Sequence, residues 1–171
     1  MRIMPEITLI LQNIRSSHNV GAIFRTAEGF GVEKIILSGY TPYPKIDHDP
    51  RLPHIADKLT AQIHKTALGA ETMVPFEYRE VLDSWLRENQ DGDNMPIIGL
   101  EQAKNSKPLP HFQPPEKFAL ILGEEVHGID DHYLAYCDYT IEIPMVGKKE
   151  SFNVSVATGI ALYGLVYGQT T

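Results

Sequence analysis

Three segments of this 171-residue chain carry polar residues where ligand binding or catalysis is possible. The first runs from Asn13 to Arg25, where a cluster of polar side chains lies between an apolar run and the start of a helix. Ligands of α/β proteins bind where a strand leads into a helix N-terminus. Arg25 lies about 150° from the apolar stripe of that helix, so this segment alone favours a solvated arginine. A site here needs support from other segments.

The second segment is the predicted turn Gly123–Gly128, with sequence GEEVHG, directly after the apolar run Phe118–Leu122. Glycines at both ends allow a tight turn in which the backbone can approach a ligand. The simpler alternative is a strand-to-helix turn with exposed glutamates. A nucleotide-phosphate loop is excluded, because two glutamates would repel phosphate and the P-loop lysine and Rossmann glycine spacing are missing.

The third segment, Ile143–Ala157, follows a predicted strand and leads into the last helix. Ser151 or Asn153 could simply cap that helix. The helix is apolar nearly all round and contains glycines and β-branched residues, which are poor helix formers, so packing must hold it. It is therefore central to the core or buried at a subunit interface, and periodicity does not separate the two.

The elements that would position these segments alternate between short apolar runs and helical patterns, which predicts an α/β sheet. Two runs, Met95–Leu100 and Phe118–Leu122, are apolar on both faces, as expected of central parallel strands. The other predicted strands are Glu6–Leu11, Glu33–Leu37, Thr72–Phe76 and Tyr139–Ile143, and Pro75 restricts the third of these to an edge or a terminus. Helices are predicted around Val20–Ala27 with Asn19 as N-cap, over Asp57–Leu68 after a Pro-rich loop Tyr40–Pro53, and over Arg79–Asn89.

Composition predicts one globular domain over residues 1–171, since 43% of residues are apolar and 22% are charged. One cysteine excludes an internal disulfide framework, Met1–Glu6 lacks a signal-peptide pattern, and no apolar run approaches membrane-spanning length. We therefore expect a cytoplasmic protein without membrane contact.

The seven histidines show no metal-ligand spacing, so no metal is expected. A net charge of −7 argues against simple phosphate binding, although local basic patches can still bind nucleic acid.

Taken in order, the three segments resemble the three motifs of the SpoU family of methyltransferases, in the SPOUT class. The pattern Asn-x-Gly-Ala-x-x-Arg matches Asn19–Arg25, and Gly-x-Glu-x-x-Gly matches Gly123–Gly128. The run from Ile-Pro-Met to Asn-Val-Ser-Val-Ala matches Ile143–Ala157, with Phe152 where leucine is usual. The resemblance spans nearly the whole chain.

The resemblance implies a mostly parallel sheet with helices on both faces and a C-terminal deep trefoil knot. It also implies a homodimer in which the last helix packs against the partner. Many members of the family carry an extra RNA-binding domain before the knot, and we expect none here because 171 residues leave no room for it. The implied cofactor is S-adenosyl-L-methionine, and the implied reaction is methyl transfer to a ribose 2′-hydroxyl of RNA. Carried onto this chain, the cofactor-binding residues are Leu100, Gly123, Ile143, Met145, Ser151 and Phe152.

The resemblance assigns catalytic roles to five residues: Asn19, Arg25, Glu125, Ser151 and Asn153. An arginine is almost always protonated and is a poor general base. Our hypothesis is that Arg25 binds the adjacent phosphate and lowers the proton affinity of the hydroxyl by its charge. Asn19 and Glu125 would position Arg25, and Ser151 and Asn153 would line the pocket.

RNA would then dock on the dimer itself, through Arg15, Arg25, Arg51, Lys148 and Lys149, whereas Lys58 is interpreted as a solvated charge. The acidic total predicts weak, salt-sensitive binding or an accessory protein. Lys65–Glu71 resembles the tRNA-methylating branch and favours tRNA over rRNA. Three alternatives stay open: a methyltransferase of this fold that modifies a base or a non-RNA substrate, a non-catalytic RNA-binding dimer, and an unrelated small-molecule enzyme.

Overall fold

Seven strands form one sheet in the order β3-β2-β1-β6-β4-β7-β5. The structure is a computed structural model that describes residues 4–168, so both ends of the predicted domain, including part of Met1–Glu6, lie outside the described residues. The strands are β1 Glu6–Gln12, β2 Lys34–Ser38, β3 Phe76–Arg79, β4 Ile97–Leu100, β5 Lys107–Pro108, β6 Lys117–Leu122 and β7 Tyr139–Glu142. Every pairing between them is parallel. Their carboxyl ends therefore share one edge of the sheet.

Helices cover both faces of this sheet. They are α1 Ser17–Gly29, α2 Pro53–Ala67, α3 Leu82–Asp91, α4 Asp131–Leu134 and α5 Val154–Tyr167. One core cluster joins the sheet to side chains of α1, α2 and α5, and a second joins it to side chains of α3 and α4. Alternate residues of β1 and β6 feed the two clusters, which explains why these strands are apolar on both faces. The predicted α/β class, with helices on both faces, is confirmed, while the trefoil knot stays a prediction.

Several predicted element boundaries were wrong. Asn19 is not the N-cap of α1: Ser16 holds that place, and its hydroxyl accepts a hydrogen bond from the Asn19 backbone N–H at 3.2 Å. Helix α2 begins at Pro53 rather than Asp57, because proline is pre-organised for a first helical turn. Strand β3 begins at Phe76 instead of ending there, because residues 70–72 form a 3₁₀ turn. It does lie at the sheet edge, as Pro75 predicted.

These shifts also move α3, which begins at Leu82 because Arg79 is the last residue of β3. Strand β4 begins at Ile97 rather than Met95. Two short elements, β5 and α4, were not predicted, since two and four residues are too few to show a hydrophobic period.

Helix α5 resolves the two alternatives that its sequence left open. One side, which includes Ala161, Leu162 and Leu165, is buried in the core cluster with α1 and α2. The other side exposes Val156, and Tyr163 with 61% of its surface in solvent. The helix is therefore both a core element and an apolar surface.

No helix within residues 4–168 is long and apolar enough to cross a membrane. The same part of the chain contains no group of three or more histidine, cysteine, aspartate or glutamate side chains arranged to hold a metal ion.

Gly21→Ala is expected to lower the free energy of unfolding by about 2–3 kcal/mol, as overpacking does in a rigid core. A Cβ at Gly21 would lie 2.1 Å from Thr66 Oγ1 and 2.2 Å from the Ile63 carbonyl oxygen, where α1 crosses α2. Urea unfolding measures the loss. Gly29→Ala is the control, because its Cβ would meet nothing within 4 Å. Equal stability of the two variants would contradict this account of the motif glycine.

Candidate functional site

A pocket of about 280 Å³ opens at the carboxyl edge of the sheet. Its walls come from the segments that follow β4, β6 and β7 and from the start of α5. In a parallel sheet these segments meet because every strand delivers its carboxyl end to the same edge. Two of the three predicted motif segments, Gly123–Gly128 and Ile143–Ala157, therefore build one pocket although they are separate in sequence.

The turn after β6 folds back on itself. Glu124 and Gly128 exchange backbone hydrogen bonds of 3.0 and 2.8 Å, and Gly128 has a φ of 71°, which favours glycine. A Cβ on Gly123 would lie 2.3–2.4 Å from backbone atoms of Gly128 and Ile129. The predicted tight turn is thus confirmed, and both glycines are required by its geometry.

Glu101 fastens this turn to the neighbouring strand and was missed by the sequence reasoning. Its Oε2 accepts a hydrogen bond from the Ile129 backbone N–H at 2.8 Å, and its Oε1 accepts one from Gln102 N–H at 2.9 Å. A Cβ at Gly128 would lie 2.0 Å from Glu101 Oε2, so the carboxylate fills the space that the glycine leaves. The sequence feature that could have indicated Glu101 is its place directly after the buried strand β4.

The loop before α1 holds Glu125. Asn19 Nδ2 donates to Glu125 Oε1 at 3.3 Å, and the Arg15 backbone N–H donates to Glu125 Oε2 at 3.4 Å. The correction of the N-cap explains this contact: Ser16 caps the helix, which leaves the Asn19 amide free to face the turn after β6. The first motif segment therefore contacts the pocket through Asn19.

Most predicted cofactor-binding residues line the pocket: Leu100, Gly123, Ile143, Ser151 and Phe152. Met145 lies just outside the lining, with its Sδ 3.7 Å from Gln102 Nε2. Of the predicted catalytic residues, Glu125 and Ser151 line the pocket. Asn153 instead caps α5, where its Oδ1 accepts a hydrogen bond from the Ser155 backbone N–H at 2.9 Å.

Arg25 is not hydrogen-bonded to Asn19 or Glu125, its predicted positioning partners. It lies exposed on α1, outside the pocket lining, and within residues 4–168 its side chain makes no hydrogen bond or ion pair. The contact predicted from Asn19 and Glu125 to Arg25 is therefore wrong within one chain. Those two side chains bind each other instead.

The predicted RNA-binding residues occupy different environments. Arg51 is bound inside its own loop: its guanidinium carbon lies 3.6 Å from the Tyr43 ring centroid, and its nitrogens donate to Asp49 and to the Tyr43 carbonyl. These hydrogen bonds hold the pKa of Asp49 far below its ordinary value. Arg51 therefore has a structural role in this chain. Arg15, Lys148 and Lys149 are exposed.

The charge of the pocket favours a cation. Its lining contains the carboxylates of Glu101, Glu124, Glu125, Glu142 and Glu150 and neither a lysine nor an arginine. The apolar side chains of the lining are Leu100, Leu122, Val126, Ile143, Phe152, Val154 and Ala157. The pocket thus suits a ligand with an apolar part and positive charge, and would repel a polyphosphate.

The sequence model of the SpoU rRNA Methylase family matches residues 6–163. This chain belongs to that family. A relative from Pasteurella multocida, named 23S rRNA (guanosine-2'-O-)-methyltransferase RlmB, is 35% identical over 161 residues, which cover 94% of this chain and 59% of the relative. The chain thus spans about three fifths of the length of the curated relatives it matches.

Solved structures share the SpoU fold. An AdoMet-bound rRNA methyltransferase from Sinorhizobium meliloti superposes with a TM-score of 0.77 at 22% identity, covering 94% of this chain and 56% of that one. A structure concerned with 2-OH methylation of C/U34 on tRNA has a TM-score of 0.71 at 22% identity and covers 93% of both chains. At this identity the likeness describes the fold.

Proposed function

We propose that this SpoU-family chain transfers a methyl group from S-adenosyl-L-methionine to a ribose 2′-hydroxyl of RNA. The observation that carries the proposal is the pocket at the carboxyl edge, where two motif segments meet and the third contacts them through Asn19. The relatives named as guanosine-2'-O-methyltransferases support the reaction type.

The residues present fit this cofactor. A sulfonium is a cation, and the acidic lining favours it, while the apolar side chains of Leu100, Ile143 and Phe152 offer a surface for adenine. Gly123 and Ser151 would hold the cofactor through the backbone and the hydroxyl group. When bound, S-adenosyl-L-methionine supplies an electrophilic methyl group.

A ribose hydroxyl is a weak nucleophile, so the chain must align it and favour loss of its proton. We assign the alignment to the pocket edge around Glu125, whose carboxylate is held by Asn19 and by the Arg15 backbone. Arg25 would bind the adjacent phosphate and stabilise negative charge on the hydroxyl oxygen.

Arg25 would act in the pocket of a second copy. It is exposed and does not line its own pocket, and its helix packs beside α5: a Cβ on Gly159 would be 3.7 Å from Cγ2 of Thr26, the next residue. Val156, Tyr163 and Tyr167 follow one stripe of α5 and are exposed. A homodimer that covers this stripe would bring Arg25 to the pocket of the partner subunit.

We propose rRNA as the substrate, because the curated relatives are named for 23S rRNA. The prediction of tRNA rested on Lys65–Glu71, and the structure provides another reason for that pattern. Thr66 packs on Gly21 and donates to the His18 carbonyl at 2.8 Å, and Glu71 accepts from the Gly69 backbone N–H at 2.9 Å. Thr66 thus joins α2 to α1, and Glu71 holds the turn that follows α2, so neither position requires a particular RNA. An accessory protein stays a prediction.

Label transfer from radiolabelled S-adenosyl-L-methionine to total RNA from a strain that lacks this gene tests the proposal. We expect a 2′-O-methylnucleoside after digestion, in the large rRNA fraction rather than in tRNA. Label in the tRNA fraction would restore the tRNA prediction. Absence of both cofactor binding by calorimetry and methyl transfer would refute the enzymatic function.

A further inference from the structure

Tyr40 presents its ring to solvent from a loop whose backbone is held in place. Tyr40 is 52% exposed, yet its backbone N–H donates a hydrogen bond to Asn13 Oδ1 at 3.1 Å. The Gly39 carbonyl accepts a hydrogen bond from the Tyr78 hydroxyl at 2.6 Å. Thr41 is buried, and its hydroxyl group both accepts a hydrogen bond from the backbone and donates one to it. The exposed position of the ring is therefore built into the fold and is not a property of a loose loop.

The space for this arrangement depends on Gly39. A Cβ there would lie 1.8 Å from Asn13 Oδ1, the atom that holds the Tyr40 backbone, and Gly39 has a φ of 66°. Asn13 also has a positive φ, of 58°, which asparagine tolerates better than most residues. Two adjacent loops thus adopt conformations that only a few residue types allow, and together they display one aromatic ring.

Arg15 connects this ring to the pocket. Its guanidinium carbon lies 5.6 Å from the Tyr40 ring centroid, within the range of a cation–π contact. Its Nη2 lies 2.9 Å from Glu124 Oε1, and its backbone N–H binds Glu125. Tyr40 follows β2, Arg15 follows β1 and the glutamates follow β6, and these three strands are neighbours in the sheet. The ring therefore stands at the rim of the pocket, on the side of β1 and β2.

We infer that Tyr40, backed by Arg15, is a stacking platform for an unpaired RNA base next to the methylated nucleotide. The inference rests on the proposed function and adds a recognition element to it. Because Glu124 pairs with Arg15, the guanidinium holds the ring through a cation–π contact more than it attracts phosphate. The acidic pocket and the net charge of −7 provide little phosphate attraction, whereas stacking does not depend on charge.

Substitutions at Tyr40 test this platform with a fluorescein-labelled oligoadenylate of about twelve nucleotides, the length that a single-strand groove holds. Tyr40→Ala and Tyr40→Leu are expected to weaken binding about tenfold or more, while Tyr40→Trp retains it. The slope of log Kd against log salt should stay unchanged, because no phosphate contact is lost. An abasic oligomer of the same length should bind wild type and Tyr40→Ala equally.

Met73→Ala is the matched control, since it removes exposed apolar surface before the amino end of β3, whereas Tyr40 follows the carboxyl end of β2. In the methyl-transfer assay, Tyr40→Ala should raise the KM for RNA about tenfold with kcat within about twofold and cofactor affinity unchanged. If wild type methylates RNA and Tyr40→Ala has an unchanged KM, the platform is refuted and the proposed function stands. If wild type binds cofactor and oligoadenylate in a Tyr40-dependent way without methylating RNA, the platform stands and the proposed function fails.

Discussion

Gly123→Ala is expected to weaken S-adenosyl-L-methionine binding at least a hundredfold. Its Cβ would lie 2.3 Å from the carbonyl carbon of Gly128 and 2.4 Å from the Ile129 nitrogen, and neither backbone atom can rotate away as a side chain could. The turn must open, which breaks the Glu124–Gly128 bridge and moves the pocket wall. Calorimetric titration with the cofactor measures the loss.

A matched glycine variant separates this effect from general damage. Gly29→Ala adds the same methyl group where nothing lies within 4 Å, and we expect wild-type cofactor affinity for it. Circular dichroism should show that both variants keep the α/β fold, since the change at Gly123 is confined to a turn at the sheet edge. Near-normal affinity in Gly123→Ala would mean that this turn does not contact the cofactor.

Arg25→Ala is expected to reduce methyl transfer to RNA about a hundredfold or more while cofactor affinity is unchanged. Removal of one group that stabilises developing negative charge commonly costs this much in kcat. Cofactor binding should persist because Arg25 does not line its own pocket. Single-turnover transfer and calorimetry on the same preparation provide the two readouts. Arg25→Lys would test whether guanidinium geometry, beyond charge, is needed.

Mixing the two variants identifies the subunit that supplies Arg25. A co-expressed mixed dimer has an intact pocket in the Arg25→Ala subunit and an intact Arg25 in the Gly123→Ala subunit. If Arg25 acts across the interface, an equal mixture should recover about a quarter of wild-type activity, because half of the dimers contain one complete site. Activity no higher than that of either parent would place Arg25 in its own subunit's site.

The sequence predicted the parts of the site that depend on short segments. Gly123 and Gly128 mark a turn because only glycine fits their backbone geometry, and Phe118–Leu122 marks a central strand because both of its faces are apolar. Five of the six predicted cofactor-binding residues line one pocket, because each lies near the carboxyl end of a parallel strand or just before α5. Glu101 was missed although it directly follows the buried strand β4, because the sequence does not show which backbone amides its carboxylate binds.

Side-chain partners could not be predicted, because they depend on how distant elements cross. Asn19 binds Glu125, which lies 106 positions away, and neither forms a hydrogen bond or ion pair with Arg25 in the same chain. Arg51 was predicted to bind RNA, but its guanidinium is hydrogen-bonded within its own loop. The N-cap was misassigned because Ser16 and Asn19 are both good caps, and only the backbone geometry distinguishes them.

The amino-acid sequence alone specified the α/β class, the order along the chain of every strand except β5, and the three polar segments, since these follow from local periodicity and from residue types with narrow backbone preferences. The tertiary structure decided the rest: that α5 is buried on one side and exposed on the other, that Arg25 does not line its own pocket, and that Tyr40 contacts Arg15, which binds the pocket residue Glu124. Each of these depends on which surfaces meet when parallel strands far apart in sequence become neighbours. A pattern along the sequence does not show which surfaces those are.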